Sequence, residues 1–402
     1  MKMSEMRKGP TGRYSIIQGG YWVNFLILTG FAAVFLNGRG FDARQIGTVT
    51  AIGSLLSCLL QQYIGTKADQ SIRPLKWMAA GFLILCMAAP AALIFLPHTY
   101  LSSFVFFAAA YTLEISFQPL LSSLCLQFSD HGYDMNFGIA RAAGSFGYAC
   151  AALFMGNLTE QYGAEIILPL LIGVYGIMIV LTLFLPVPEG RRKEDMHEAN
   201  QPSSLKQFFH RYHRFMTAVT GFSLLWFMNS ILGTYMIYFI DYYHGTAAQM
   251  SRCFSIMAFA EIPAIVMGSF LMRRMGAGWM LKVSAIGALA KDILFFCAPD
   301  VTWFMWANLL HFFQSGFYQV AAVYFCYSIV QPQDIVKGQS FLTIFVSGIC
   351  SVAANYIGGI LIDTVSIPVI YLVGIACNIA ALVIIWIAVD PHRFAKEKIR
   401  RI

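Results

Sequence analysis

Six ionisable residues stand where ionisable residues are expensive. Glu114, Arg141, Glu261, Lys291, Asp292 and His311 each lie inside a long run of apolar residues. Carboxylate, guanidinium, ammonium and imidazole groups in such places can hold a polar solute, carry a proton, or pair with one another and tie helices together. A charge in the hydrocarbon of a bilayer costs roughly 2.5–3.5 kcal/mol on insertion scales. Each therefore needs a partner, a water-filled cavity or a task.

Polar companions recur beside them at helical spacing. Glu114, Gln118 and Ser122 follow at intervals of four, with Pro119 among them to loosen the backbone. Arg141, Ser145 and Tyr148 fall on one helical face, and Gly138, Gly144 and Gly147 allow a neighbouring helix to approach closely. Glu261 is an isolated carboxylate followed by Pro263. His311, Gln314, Ser315 and Tyr318 form one polar face, and Ser347, Ser351 and Asn355 form another. Lys291 and Asp292 are adjacent, so the lysine either neutralises the field of the aspartate, snorkels, or serves a site. Polar faces thus occur in both halves of the chain, and they can share one central cavity. Interhelical pairing without a binding role is the alternative for every one of these residues.

The elements that must position them are membrane-spanning helices. Apolar residues make up 58% of the chain and charged residues 12%, where a soluble domain has about a quarter charged. A span needs about 20 apolar residues. Twelve such stretches are expected, at 15–36, 45–65, 75–96, 101–127, 137–157, 165–186, 214–240, 248–272, 279–298, 301–330, 338–362 and 367–389. The expected class is an all-α integral membrane protein. A six-helix bundle over 1–186, a polar linker over 187–213 and a second six-helix bundle with a tail over 214–402 divide it. The linker ends in an expected short surface helix, and its His210 and His213 read as solvated.

Of the 27 Lys and Arg, all but five fall on one side of alternating spans; Arg39, Arg44 and Arg252 lie on the other, and Arg141 and Lys291 lie inside. This bias places both termini in the cytoplasm of a cell membrane and accounts for the net charge of +7. It does not indicate nucleic-acid binding, because no basic stripe interleaves with aromatics. The basic N-terminal stretch leads into a full span without a small-residue cleavage pattern, so it reads as an uncleaved first helix. The nine cysteines show no ligand spacing, and neither a metal nor a cofactor is expected. An HExxH, a GxSxG and paired aspartates at a kink are absent from the sequence, which argues against a polytopic membrane enzyme.

The halves echo each other weakly. Gly65 to Arg73 follows the second expected span and Gly268 to Gly276 the eighth, each read as a glycine and then a tight basic turn. Parallel six-span repeats of this kind build one large transporter class. The first turn resembles the signature loop of the major facilitator superfamily. Asp69 and Arg73 hold its acidic and basic places, with Ile72 where a second glycine is usual. The resemblance implies the major facilitator fold and a gating latch at that loop.

These residues resemble the lactose permease branch of that superfamily, which includes phenylpropionate-permease-like and nucleoside-permease-like proteins. NFGIARAAGSFGYA resembles the fifth-helix segment, so Arg141 takes the place of a sugar-contacting arginine and Tyr148 that of an aromatic stacking on the sugar. Glu261 matches an eighth-helix glutamate that recognises hydroxyls, and LLHFFQ gives His311 the place of a histidine joining binding to proton transfer. Three places differ: Gln314 replaces a proton-carrying glutamate, Lys291 an arginine, and Ser122 a carboxylate for which Glu114, two turns away, can substitute.

The resemblance implies a secondary active transporter with alternating access. Its solute would be small, polar and organic, a sugar or glycoside first and an aromatic or carboxylic acid second. Arg141, Tyr148, Glu261, Lys291, His311 and Gln314 would bind it. Proton symport would run through Glu261, Glu114 or His311. Lipid, solute and protons are the expected partners, and a monomer suffices. Gln314 keeps an uncoupled facilitator or exchanger open. An exporter or a non-transporting sensor of the same fold also remains open.

Overall fold

Backbone amides in hydrocarbon must find partners within their own segment, so apolar runs of this length fold as helices. The computed structural model describes residues 7–69, 71, 74–131, 133–135, 137–187, 205–331 and 334–390. Twelve rods follow in chain order. In the first half they are α1 (11–38), α2 (Ala43–Asp69), α3 (Leu75–Phe95), α4 (Tyr100–Asp130), α5 (Phe137–Tyr162) and α6 (Ile167–Leu183). In the second they are α7 (His213–Tyr242), α8 (Ala247–Val266), α9 (Gly268–Phe296), α10 (301–329), α11 (335–364) and α12 (Ile367–Ala388). Among the described residues, seven helices are long and apolar enough alone to cross a membrane, and up to nine spans result if each bent pair counts as one. A short helix, Leu205–Arg211, precedes α7 and buries Phe208.

Polar caps begin several rods. Asp42 and Gln45 cap α2 reciprocally, with the Gln45 amide donating to Asp42 Oδ1 at 2.7 Å. Thr246 and Gln249 do the same for α8. Thr99 with Ser102 caps α4, and Asp300 caps α10 by accepting from the Trp303 amide at 2.8 Å. Each cap satisfies amides that a helix N-terminus leaves unpaired.

The chain divides into two compact units, Met1–His197 and Glu198–Ile402. In the first, α1 packs on α5 and α6, α4 on α2 and α3, and α3 on α6. In the second, α7 packs on α11 and α12, α10 on α8 and α9, and α9 on α12. Adding six to each helix number converts one set into the other, and the paired caps of α2/α8 and α4/α10 obey the same shift.

The rods are not all straight. A π turn at Leu26–Gly30 precedes a 50° bend in α1. Between α8 and α9 the chain bends by 86° at Met267. This corrects two expectations. The eighth span ends at Val266 instead of reaching 272, and residues 268–275 are helical where a tight basic turn was read. The turn comes later, at Gly276, whose φ of 76° suits glycine and few other residues.

Close approach of α1 and α5 depends on glycine: a Cβ on Gly147 would lie 3.3 Å from the Gly19 backbone, which cannot step aside. Gly147→Val is expected to cost about 1–3 kcal/mol through overpacking. Gly173→Val, where nothing lies within 4 Å, is expected to stay within about 0.5 kcal/mol. Thermal unfolding of the purified protein in detergent checks both.

Candidate functional site

In the second unit, a π turn at Phe312–Phe317 interrupts α10. Hydrogen bonding from i to i+5 inserts a residue, and such bulges often mark functional sites. His311, Ser315 and Gln319, four residues apart along α10, all approach Glu261 of α8. Ser315 Oγ donates to Glu261 Oε2 at 2.8 Å, and Gln319 Nε2 donates to the same oxygen at 3.2 Å. His311 Nε2 lies 3.7 Å from it. Gly316 makes the approach possible, since a Cβ there would overlap Ala264 on α8.

Tyr318, read onto the same face as His311, instead packs against Phe222 and Trp226 of α7. Gln314 is buried, and its backbone carbonyl accepts from Ser284 Oγ of α9 at 2.6 Å. The polar face runs on through Gln319, four residues after Ser315, whose Nε2 also donates to Ser315 Oγ at 3.2 Å.

Beyond His311 lies Lys291 of α9. Its Nζ is 3.5 Å from His311 Nδ1 and 3.4 Å from Asn229 Oδ1 of α7. With the ammonium donating to Nδ1, the imidazole carries its hydrogen on Nε2, directed at Glu261; this tautomer is assigned from the network. A carboxylate, an imidazole and an ammonium from α8, α10 and α9 therefore stand in line. Such a line can accept from solute hydroxyls at Glu261 and pass a proton between Glu261 and His311.

Asp292 belongs to another face. A helix turns about 100° per residue, so adjacent side chains diverge. Lys291 remains within the field of Asp292, yet the two make no direct ion pair. Asp292 Oδ2 instead accepts from Asn378 Nδ2 of α12 at 2.7 Å.

In the first unit, Arg141 of α5 lies with its guanidinium 4.2 Å from the centre of the Trp22 ring on α1, and its Nη1 donates to Ser145 Oγ at 2.8 Å. A buried or half-buried cation over indole gains up to about 2 kcal/mol. Gly144 admits the indole, because a Cβ there would overlap Trp22. Tyr148 is half-buried two turns beyond Arg141.

Glu114 is separate from Arg141's hydrogen bonds: it is fully buried, and Tyr175 of α6 donates to its Oε2 at 2.6 Å. Gln118, one turn on, is exposed, so the residues read onto one face as Glu114, Gln118 and Ser122 differ in burial. The Asp69 side chain and Arg73, the expected latch, lie outside the described residues.

Trp22, Tyr175, Asn229 and Gln319 complete these clusters without having been singled out from sequence. Gln319 and Trp22 carried a signal: one is four residues after Ser315, and the other sits between Gln18 and Asn24 on a polar-flecked first helix. Tyr175 and Asn229 are single residues in apolar runs and carried none. Among the described residues, no three His, Cys, Asp or Glu side chains converge as metal ligands.

The sequence profile of the MFS_1 like family matches residues 16–373. The uncharacterized transporter YwbF of Bacillus subtilis (strain 168) is 22% identical over 369 residues, which is 89% of each chain. A solved structure of the nucleoside transporter NupG aligns with a TM-score of 0.74 at 15% identity, over 94% of this chain and 98% of that one. The peptide transporter POT aligns at 0.73 and 13% identity, over 96% and 95%. A bacterial homolog of the human lysosomal transporter Spinster aligns at 0.67 and 16% identity, over 96% of both. These likenesses establish the fold.

The Glu114–Tyr175 pair is open to a direct test. Tyr175→Phe strips the carboxylate of its donor and is expected to cost about 1–3 kcal/mol. Adding Glu114→Leu should recover much of that loss, because removing both partners leaves nothing unsatisfied. Thermal midpoints of the three proteins in detergent decide it.

Proposed function

The chain belongs to the MFS_1 like family, a family of membrane transporters and not of enzymes, and we propose that it is a secondary active transporter coupling a small polar organic solute to protons. The solute is a sugar, glycoside or nucleoside first, and an aromatic or carboxylic acid second. The likeness to a nucleoside transporter adds the nucleoside to the classes that the residues themselves suggest. Hydroxyl groups suit the carboxylate of Glu261, and a flat ring suits the indole of Trp22 held by Arg141.

The observation that carries the reading is the contact of Glu261, through His311, with Lys291 inside a helix bundle. A carboxylate that only stabilised the fold would be served by the two neutral donors it already has. An imidazole beside it, with its second nitrogen on an ammonium, supplies a proton path. Arg141 and Tyr148 are the solute-binding candidates of the first unit, and Glu261, Lys291, His311 and Gln314 are those of the second. Glu261 carries the proton with His311 as relay, and Glu114 is the reserve carrier. The protein resides in the cytoplasmic membrane with both termini inside, as the distribution of Lys and Arg supports.

One observation favours a second reading. Gln314, in the place where the sugar-permease resemblance puts a proton-carrying glutamate, is an amide and cannot load and release a proton. On that reading the protein is an uncoupled facilitator or exchanger.

Solute-induced pH change in proteoliposomes separates the two, with disaccharides, nucleosides and aryl carboxylates as the panel. An active solute is expected to alkalinise the outer medium with the wild-type protein. Glu261→Gln is expected to abolish accumulation against a gradient. Accumulation unchanged by Glu261→Gln removes that residue from the carrier role, and solute exchange with no pH change in the wild type leaves the facilitator reading.

A further inference from the structure

One buried carboxylate in the second unit is left over from the cluster just described. Asp292 is 1% exposed. Its Oδ2 accepts a single hydrogen bond, from the neutral amide of Asn378, and its Oδ1 is buried with no partner. No cation pairs with it directly among the described residues. The titratable groups that face it are Lys291 beside it on α9, and Tyr371 and Cys377 on α12, with Tyr243 at the end of α7 adjoining Tyr371. From α7 itself, Met228 closes the site.

The backbone is shaped around this side chain. A Cβ on Gly374 would lie 3.0 Å from Asp292 Oδ2 and 2.8 Å from Met228 Cγ, so the missing side chain on α12 is what gives the carboxyl its room. A carboxylate with one neutral donor is a poor interior group. Burying an unpaired charge is costly, and replacing such a residue by an apolar one is often neutral or stabilising for a fold. A carboxyl in a fitted niche, with one oxygen unclaimed, has the form of a binding site for a small cation. Among the described residues no three His, Cys, Asp or Glu side chains gather there, whereas a hard metal ion takes six or more oxygens.

We propose that Asp292 is a second protonation site in the coupling, besides Glu261: a proton adds to Oδ1 while Asn378 holds Oδ2. The inference rests on the proton-symport reading given above and names a carrier that reading did not use. The proton converts the carboxylate into a neutral acid and leaves Lys291 without its neighbouring counter-charge. Lys291 contacts His311, and His311 contacts Glu261, so the charge on Asp292 biases the solute-binding line through two direct contacts. Solute binding and proton binding then favour each other by equal factors, as linkage requires. The arrangement also supplies the proton site that Gln314 cannot.

The test uses the full chain in proteoliposomes. Infrared titration follows the C=O stretch of protonated carboxyl groups without any solute. The wild type is expected to show bands that titrate with pH, and Asp292→Asn to lose one component that Glu261→Gln and Glu114→Gln each retain. Asn378→Leu is expected to shift that component, because the hydrogen bond onto Oδ2 is lost. For any solute of the panel that the wild type accumulates with proton uptake, Asp292→Asn is expected to exchange it across the membrane and no longer accumulate it, which also shows that the variant is folded. Proton-linked accumulation that survives Asp292→Asn overturns this inference alone. Wild-type flux without any pH change overturns the symport reading and this one together. A response of the Asp292 component to sodium at constant pH overturns the assignment to a proton.

Discussion

A charged side chain within a helix bundle in hydrocarbon must be met by another polar group, and the room to meet it comes from an absent side chain. Gly144 admits the indole on which Arg141 rests, Gly316 brings α10 onto α8 at Glu261, and Gly374 opens the niche of Asp292. The same geometry recurs because the same two costs recur. Desolvating a charge is expensive, and a rigid helix cannot move aside to lessen it. A glycine on the facing helix removes the steric obstacle without adding a polar group of its own.

The two units solve this with matching scaffolds. Caps on α2 and α8 have the same reciprocal form, caps on α4 and α10 stand at matching places, and the helix pairings agree on shifting by six. The clusters set into those scaffolds differ. The first unit holds a guanidinium on an indole and, apart from it, a carboxyl on a phenol. The second holds a line of three ionisable groups and, turned away from it, a carboxyl on an amide. Scaffold similarity and site difference have separate causes: helix ends and close-packed seams constrain one set of residues, and polar chemistry constrains another.

Departures from regular helix do much of the positioning. Beside the π turn in α10, Ser315 and Gln319 donate to Glu261, and the backbone carbonyl of Gln314 accepts from Ser284 of α9. A second such turn occupies Thr343–Ile349 in α11, within the stretch where Ser347 was read onto a polar face.

Apolar run length by itself determined that the chain forms membrane-spanning rods, and roughly where each begins and ends. Lone charges in those runs marked Arg141, Glu261 and His311, since insertion cost depends on the residue and its depth. Tertiary structure alone decided the partners. That Lys291 and Asp292 serve different faces, that Gln118 is exposed while Glu114 is buried, and that Tyr175 and Asn229 complete the clusters all follow from how helices rotate and cross. Helical periodicity is a local property of the chain. Partner choice is set by side chains tens of residues away, so no local pattern records it.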